Sequence, residues 1–276
     1  MNDNRTSNIN IYKVISGGIN ETEDKVATEE PLEIQLEYST TNGRMLKNIA
    51  VTMRTPGNDK ELATGFLFTE GIIKHAEDIA GIKHPHADEN RIQVILKENV
   101  IPVLGNASRN FYTTSSCGVC GKASIDAINT VSVFAEVKDS IKIDTTVLYQ
   151  LQNAIKTEQK IFEDTGGIHA SALFDCTGKF IMLKEDVGRH NALDKIIGAT
   201  LLKNELPLNN YLLFLSGRAS FELVQKSVMA GIRVIVAVGA PSSLAVEMAK
   251  ENNITLIGFL KNDRFNIYTG KERLKL

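Results

Sequence analysis

Three short apolar runs, Tyr211–Leu215, Val234–Val238 and Thr255–Phe259, each stop within two residues of a glycine. They show no alternation of apolar and polar residues, so as strands they must be buried on both faces. Helical patterns separate them: Ser220–Ala230 after the first run, and Ser242–Asn252, capped by Ser242 or Ser243, after the second. Upstream, His169–Phe174 and Lys179–Lys184 predict neighbouring strands joined by Asp175–Gly178, with a helix over Asn191–Leu202. Strands and helices in alternation predict an α/β fold on a largely parallel sheet covered on both faces.

The first third has a different pattern. Pro31–Tyr38 alternates, with Leu32, Ile34, Leu36 and Tyr38 on one side, and Thr41-Asn42-Gly43 turns the chain into a returning strand, Asn48–Arg54. Ile9–Val14 and Arg91–Leu96 predict further strands, Ser16–Glu30 a loop, and Asp59–Glu70 a helix stopped by Gly71. These make a smaller α+β domain over residues 9–104, preceded by a frayed, polar start. Gly105–Ser108 separates it from a second domain, residues 105–276, in which Thr145–Phe162 predicts one amphipathic helix through Leu148, Leu151, Ile155 and Ile161.

A chain of 276 residues is long enough for two modest cores. Its net charge of -2 gives no field that would attract nucleic acid or an anionic membrane, so anionic ligands need local basic clusters. No apolar run approaches the ~20 residues of a membrane span, and MNDNRTSNIN lacks the basic start and apolar stretch of a secretory signal. The expected location is the cytoplasm, without nucleic acid or membrane as partner. The three cysteines, Cys117, Cys120 and Cys176, are too few and too odd in number for a disulfide framework.

Cys117-Gly118-Val119-Cys120 follows a Ser/Thr run and predicts a loop. Its glycines let another molecule's sulfur approach, and a thiolate there accepts sulfane sulfur by exchange, forming a persulfide. The competing readings are half of a zinc site or inert thiols. A structural zinc wants four ligands, and neither Cys176 nor the five histidines supply the usual spacing. Cys176 itself, in a strand-turn context, reads as a buried or bystander thiol.

Other polar clusters gather where strands meet helices. Gly166-Gly167-Ile168-His169, Glu185-Asp186-Val187-Gly188-Arg189-His190-Asn191, Ser216-Gly217-Arg218 and Ala240-Pro241-Ser242-Ser243 fall at such junctions. Backbone N–H groups and the arginines there are suited to phosphates. The alternative is that Arg189 pairs with Glu185 or Asp186 and His190 caps its helix. Phe259-Leu260-Lys261-Asn262-Asp263-Arg264 offers cations for phosphate and a carboxylate for a guanine-type N–H edge, or is a solvated turn before a last strand, Phe265–Tyr268. Arg54, before the first helix, either reaches a ligand or packs between domains.

These segments, with Arg54-Thr55-Pro56-Gly57, Glu61-Leu62-Ala63-Thr64-Gly65-Phe66-Leu67 and Ser116–Gly121, occur in an order that resembles the FdhD family of formate dehydrogenase accessory sulfurtransferases. The resemblance runs from about Pro31 to Tyr268. It implies a cytidine-deaminase-like three-layer core with a smaller N-terminal α+β domain, working as a homodimer. It implies a sulfur carrier, with a cysteine desulfurase as donor and formate dehydrogenase as the recipient of the finished cofactor. The cargo would be Mo-bis(molybdopterin guanine dinucleotide), or its tungsten form, with no permanently bound metal. Cys117 and Cys120 would carry the sulfur, with Cys117 as the usual persulfide residue. Phe259, Leu260, Lys261, Asn262, Asp263 and Arg264 correspond to the family's cofactor-binding stretch, and Arg189, His190 and Arg218 are added as contacts from their junctions.

Two other activities compete. A zinc deaminase needs a glutamate two residues after its histidine, and Ala170-Ser171 follow His169 instead. A chaperone that binds the cofactor without sulfur chemistry would use the same anion-holding turns, and only the two cysteines separate it from a transferase.

Overall fold

The computed structural model describes residues 4–104, 132–134, 137 and 139–275. The chain begins with a two-stranded antiparallel ribbon, β1 (Thr6–Ile15) and β2 (Gly18–Ala27), joined by a turn in which Gly17 takes φ +115°. The expected loop over Ser16–Glu30 is therefore a strand and the start of the next. Alternation reports burial, and this ribbon has little: Tyr12, Val14 and Ile19 are all more than two-thirds exposed. Its backbone ladder forms without the apolar signal that a core-facing strand carries.

A four-stranded sheet follows, in the order β4-β3-β6-β5. Its strands are β3 (Glu30–Thr40), β4 (Gly43–Arg54), β5 (Ile79–Lys83) and β6 (Arg91–Leu96), with β5 absent from the sequence reading. Leu32, Ile34 and Leu36 of β3 join Ile92, Val94 and Leu96 of β6 against helix α1 (Asp59–Thr69).

The second sheet has six strands in the order β13-β12-β11-β10-β8-β9. They are β8 (His169–Asp175), β9 (Phe180–Asp186), β10 (Tyr211–Leu215), β11 (Val234–Ala237), β12 (Thr255–Gly258) and β13 (Asn266–Thr269). Only β10, β11 and β12 run parallel; β8 is antiparallel to both of its neighbours, and β13 is antiparallel to β12. The sheet is mixed, not largely parallel. Burial on both faces produces the same apolar runs whichever way a neighbouring strand points. A short parallel pair, β7 (Ile143–Asp144) with β14 (Leu274–Lys275), closes the periphery.

Helices α5 (Arg189–Leu202), α6 (Phe221–Met229) and α7 (Ser243–Glu251) cover one face through Leu193, Leu223 and Ala249, which pack with Leu213, Ile235 and Leu256. The other face receives Leu148, Leu151 and Ile155. These come from α2 (Thr145–Leu148) and α3 (Leu151–Lys156), with α4 (Lys160–Thr165) following. The expected single helix over Thr145–Phe162 is thus three short ones. Gln159 leaves the helical region (φ -82°, ψ 65°), and the Glu185 carboxylate accepts hydrogen bonds from the N–H groups of Ile161 and Phe162, starting α4 afresh.

One apolar cluster runs from Leu36 through Leu67 of α1 and Ile197 of α5 to Leu213, uniting the sheets. Helices α1 and α5 touch backbone to backbone at Gly65 and Gly198. A Cβ on Gly65 would overlap the Asp194 carbonyl oxygen, and one on Gly198 would overlap that of Glu61. Gly65→Ala is expected to lower unfolding stability by about 3 kcal/mol, read from the urea midpoint. An unchanged midpoint would contradict this close approach.

Candidate functional site

The carboxyl ends of β10, β11 and β12 lie along one edge, joined by the start of β8 and the end of β9. Backbone bonds sew the turns together: Gly239 N to Gly217 O (3.0 Å), Phe259 N to Gly239 O (3.2 Å) and Ser242 N to Ala219 O (3.1 Å). The approach is close enough that a Cβ on Gly239 would come within 2.9 Å of the Arg218 backbone. Ser242 caps α7, its hydroxyl accepting from Ala245 N at 3.3 Å.

Beneath this edge, the Glu185–Lys195 cluster divides into structural and outward-facing residues. The buried Asp186 carboxylate accepts from Lys195 Nζ (2.7 Å), Thr55 N (3.2 Å), Gly188 N (2.8 Å) and Asn191 Nδ2 (3.1 Å). Lys195 Nζ also donates to Thr55 O at 2.9 Å. One turn further along α5, Asp194 accepts from Lys226 Nζ (2.8 Å) and from the Thr69 hydroxyl (2.9 Å). Asp186, Asn191, Asp194 and Lys195 thus join α5 to the first unit. Arg54 is likewise structural: it is buried, its guanidinium chelating Asp59 (3.1 and 3.2 Å) and donating to Glu89 O (3.0 Å).

Arg189 does not take up Glu185 or Asp186, since those carboxylates serve α4 and Lys195. Its Nε is buried without a hydrogen-bond partner among the described residues. His190 is buried, its Nε2 lying 2.7 Å from Glu222 Oε2 and 3.3 Å from the Ser220 hydroxyl. Arg218 is exposed. Phe259, at φ +54°, turns outward and is 44% exposed, whereas the Leu260 side chain is wholly buried in the second core and its carbonyl accepts from Gln152 Nε2 at 2.9 Å. Lys261, Asn262, Asp263 and Arg264 form an exposed turn closed by Lys261 N to Arg264 O at 2.8 Å. Arg189, Arg218 and the Phe259–Arg264 turn therefore share one edge of the sheet. Leu260 anchors that turn from below.

Beside this edge, between α3–α4 and the strand ends, is a cleft of about 840 Å³. His169, Ser216, Gln152 and Gln159 supply its polar groups, and Ile155, Phe162, Val187 and Val238 its apolar walls. Burial, reinforced by the charges of Arg189 and His190, pushes the His169 imidazole below its ordinary value. The ring is therefore neutral at neutral pH, able to donate from one nitrogen and accept at the other. Sequence reasoning singled out the cluster containing His169 but missed Gln152 and Gln159, which sit in a stretch whose spacing gives no sign of a cleft.

Cys117 and Cys120 lie outside the described residues, as does Gly105–Ser108. The chain on either side of that segment packs at the opposite end of the sheet. Leu104 and Phe134 both lie against the first core, and Arg233, just before β11, donates to Phe134 O (3.2 Å) and Val137 O (2.8 Å). Cys176 donates a hydrogen bond to Asn210 O at 3.2 Å, and burial raises its thiol above the ordinary value. Among the described residues no three His, Cys, Asp or Glu side chains gather as a metal site requires, and no helix is long and apolar enough to cross a membrane.

A sequence model described as the FdhD/NarQ family matches residues 27–275. The chain belongs to the FdhD/NarQ family. A protein of Mycolicibacterium paratuberculosis named sulfur carrier protein FdhD is 46% identical over 258 residues, covering 91% of this chain and 92% of that one. A protein of the same name from Sulfurisphaera tokodaii is 43% identical over 261 residues, covering 92% and 95%. The crystal structure of a protein described as a formate dehydrogenase accessory protein from Desulfotalea psychrophila superposes with a TM-score of 0.72 over 98% of this chain and 99% of that one. At 24% identity, that likeness shows that the fold is shared. The ribbon up to Val26 precedes the segment the FdhD/NarQ model matches, whereas all the edge turns lie inside it.

A clamp follows the cysteine segment in this family member. Arg273 Nε and Nη2 each meet the Asp139 carboxylate at 2.9 Å. Those bonds hold the Asp139 carboxyl below its ordinary 3.8. A depressed carboxyl stabilises the fold fully above that ordinary value and loses the contribution as pH falls through the lower, folded value. Arg273→Met should therefore cost about 2 kcal/mol at pH 7, with the gap to the unsubstituted protein narrowing below pH 3.8. Urea unfolding between pH 7 and 3 checks this, and a gap independent of pH would contradict it.

Proposed function

We propose that the chain is a sulfurtransferase that takes persulfide sulfur from a cysteine desulfurase and delivers it to Mo-bis(molybdopterin guanine dinucleotide), or its tungsten form, for formate dehydrogenase. The observation that carries this reading is the conjunction of two features. Relatives at 43–46% identity are named sulfur carrier protein FdhD, and this chain has an edge built for a long anionic ligand. From β9 to β12 the edge spans four strand spacings, about 19 Å. Arg189 stands at the β9 end, Arg218 midway at the end of β10, and Lys261 and Arg264 beyond β12 at the other end. Such a length suits a ligand whose phosphates are separated by ring systems.

The chemistry follows from thiol exchange. The Cys117 or Cys120 thiolate attacks the terminal sulfur of the donor's persulfide; a new S–S bond forms, the donor's S–S bond breaks, and the donor leaves as a thiolate. Delivery breaks the new S–S bond and regenerates the cysteine thiolate. The sulfur becomes a sulfido ligand of the substrate metal, which supplies the two electrons that reduce it. Cys117 follows Leu104 by 13 residues, so covalent geometry permits up to about 45 Å between them, beyond the length of any strand in the sheet.

The wider reading includes a cytidine-deaminase-like core, which the placing of β8 between β9 and β10 supports. It includes a homodimer, supported by the apolar side chains that the β1–β2 ribbon presents to solvent. It includes action in the cytoplasm, where thiols stay reduced.

Incubation with a cysteine desulfurase and cysteine should add ~32 Da to the intact protein under conditions that preserve persulfides. The addition should be absent from a Cys117→Ala, Cys120→Ala double variant, while Cys117→Ala alone keeps its binding of guanine nucleotide. No gain on the unsubstituted chain would leave a cofactor-binding chaperone as the better description.

A further inference from the structure

Helices α5 and α6 are tied together twice, and the two ties lead to different places. The inner tie, Asp194 to Lys226 at 2.8 Å, continues to the Thr69 hydroxyl of α1 and fastens the core. One helical turn nearer the sheet edge, His190 and Glu222 repeat the pairing, each four residues before its counterpart in the inner tie. His190 is 5% exposed and Glu222 9%. The imidazole Nε2 lies 2.7 Å from Glu222 Oε2 and 3.3 Å from the Ser220 hydroxyl. A carboxylate only accepts, so Nε2 carries the proton and donates to both oxygens. Both contacts use one ring nitrogen, whereas a nucleophile relay needs carboxylate and hydroxyl on opposite nitrogens. This group holds position; it does not activate Ser220.

Ser220 shows what is held. It stands at the N-cap of α6, yet its side chain accepts no capping hydrogen bond. Ser242, at the same place before α7, does cap its helix. The Ser220 hydroxyl is turned to α5 instead. On its other side the Ser216–Ser220 turn is bonded to the next one, through Gly217 O to Gly239 N (3.0 Å) and Ala219 O to Ser242 N (3.1 Å). The exposed Arg218 is carried between these two sets of bonds. Arg189 is the residue beside His190, and its Nε is buried without a partner among the described residues. The backbone positions of both arginines are therefore coupled through one buried imidazole.

Strand β8 lies between β9 and β10, so the turns bearing Arg189 and Arg218 stand two strand spacings, about 10 Å, apart. Two guanidiniums that close on one diphosphate need that separation fixed; a single phosphate on one guanidinium does not. We infer that His190 and Glu222 are positioning residues, which set the spacing of Arg189 and Arg218 so that both meet one diphosphate. The inference rests on reading the edge as the site of a phosphate-bearing cofactor. His190, expected as a ligand contact, acts from behind the residues that make the contact.

Calorimetric titration of the full-length protein with GDP and GMP isolates the second phosphate. The unsubstituted protein should bind GDP about tenfold or more tightly than GMP, and Arg189→Ala or Arg218→Ala should remove that preference. Glu222→Leu should bring GDP to within about twofold of GMP, while GMP binding itself changes less than about threefold. Glu222→Gln, which keeps an acceptor for Nε2, should retain the preference. Where Glu222→Leu fails to fold, the double variant His190→Leu, Glu222→Leu takes its place, because it orphans no buried partner. It should melt near the parent and still lose the preference. A parent that binds both nucleotides equally or neither overturns the inference. So does a preference that survives the loss of the pair, or a fall in GMP binding as large as that for GDP. Persulfide loading of the same preparations separates the two claims. A protein that gains ~32 Da but keeps its GDP preference without the pair refutes only the positioning role. One that shows the nucleotide pattern but gains no sulfur refutes only the transfer reading.

Discussion

The contact between α1 and α5 is the constraint on which the rest of the molecule depends. Two glycines bring the helix backbones together, and two buried ion pairs, Asp186–Lys195 and Asp194–Lys226, fasten α5 to Thr55 and Thr69 on either side. Buried pairs of this kind add little net stability over apolar packing, but they tolerate few alternatives, because an orphaned partner costs about 3–5 kcal/mol. Their effect is to define position. Asp186 closes the turn at Gly188, so the same carboxylate that ties the sheets together also sets where Arg189 leaves the end of β9.

From that point the edge is built by short-range rules. Each parallel strand ends in a turn that bonds to its neighbour's turn, and glycines at 239 and 258 admit the backbone of one loop against the next. The result is a shelf with cations along its rim and a nearly neutral cleft beside it. A ligand with separated rings and phosphates matches such a division of polarity, because each part would meet only groups of its own kind.

How legible all this was in the sequence depended on what a residue pattern encodes. Burial is encoded well, so β3, β10, β11 and β12, with their apolar or alternating side chains, emerged from periodicity. Strand direction is not encoded, and the antiparallel β8 and β13 were absorbed into an expected parallel sheet. The β1–β2 ribbon was half missed because its strands bury almost nothing. The break at Gln159 was missed because Glu185, distant in sequence, decides where α4 begins. For the site, the clustering of charged residues at strand ends was visible, but not their partition. The sequence offers Asp186 only as a partner for Arg189, and it pairs with Lys195 instead, whereas Gln159, in a stretch that reads as plain helix, lines the cleft. A carboxylate looks the same in a sequence whether it meets a lysine or a ligand.

The most direct measurement is a crystal structure of the protein with GDP. The account predicts the nucleotide along the edge formed by the ends of β9 to β12, with its diphosphate at the turns that bear Arg189 and Arg218. Density for the nucleotide at the other end of the sheet, in the hollow of about 590 Å³ lined by Arg233 and Arg273, would contradict it.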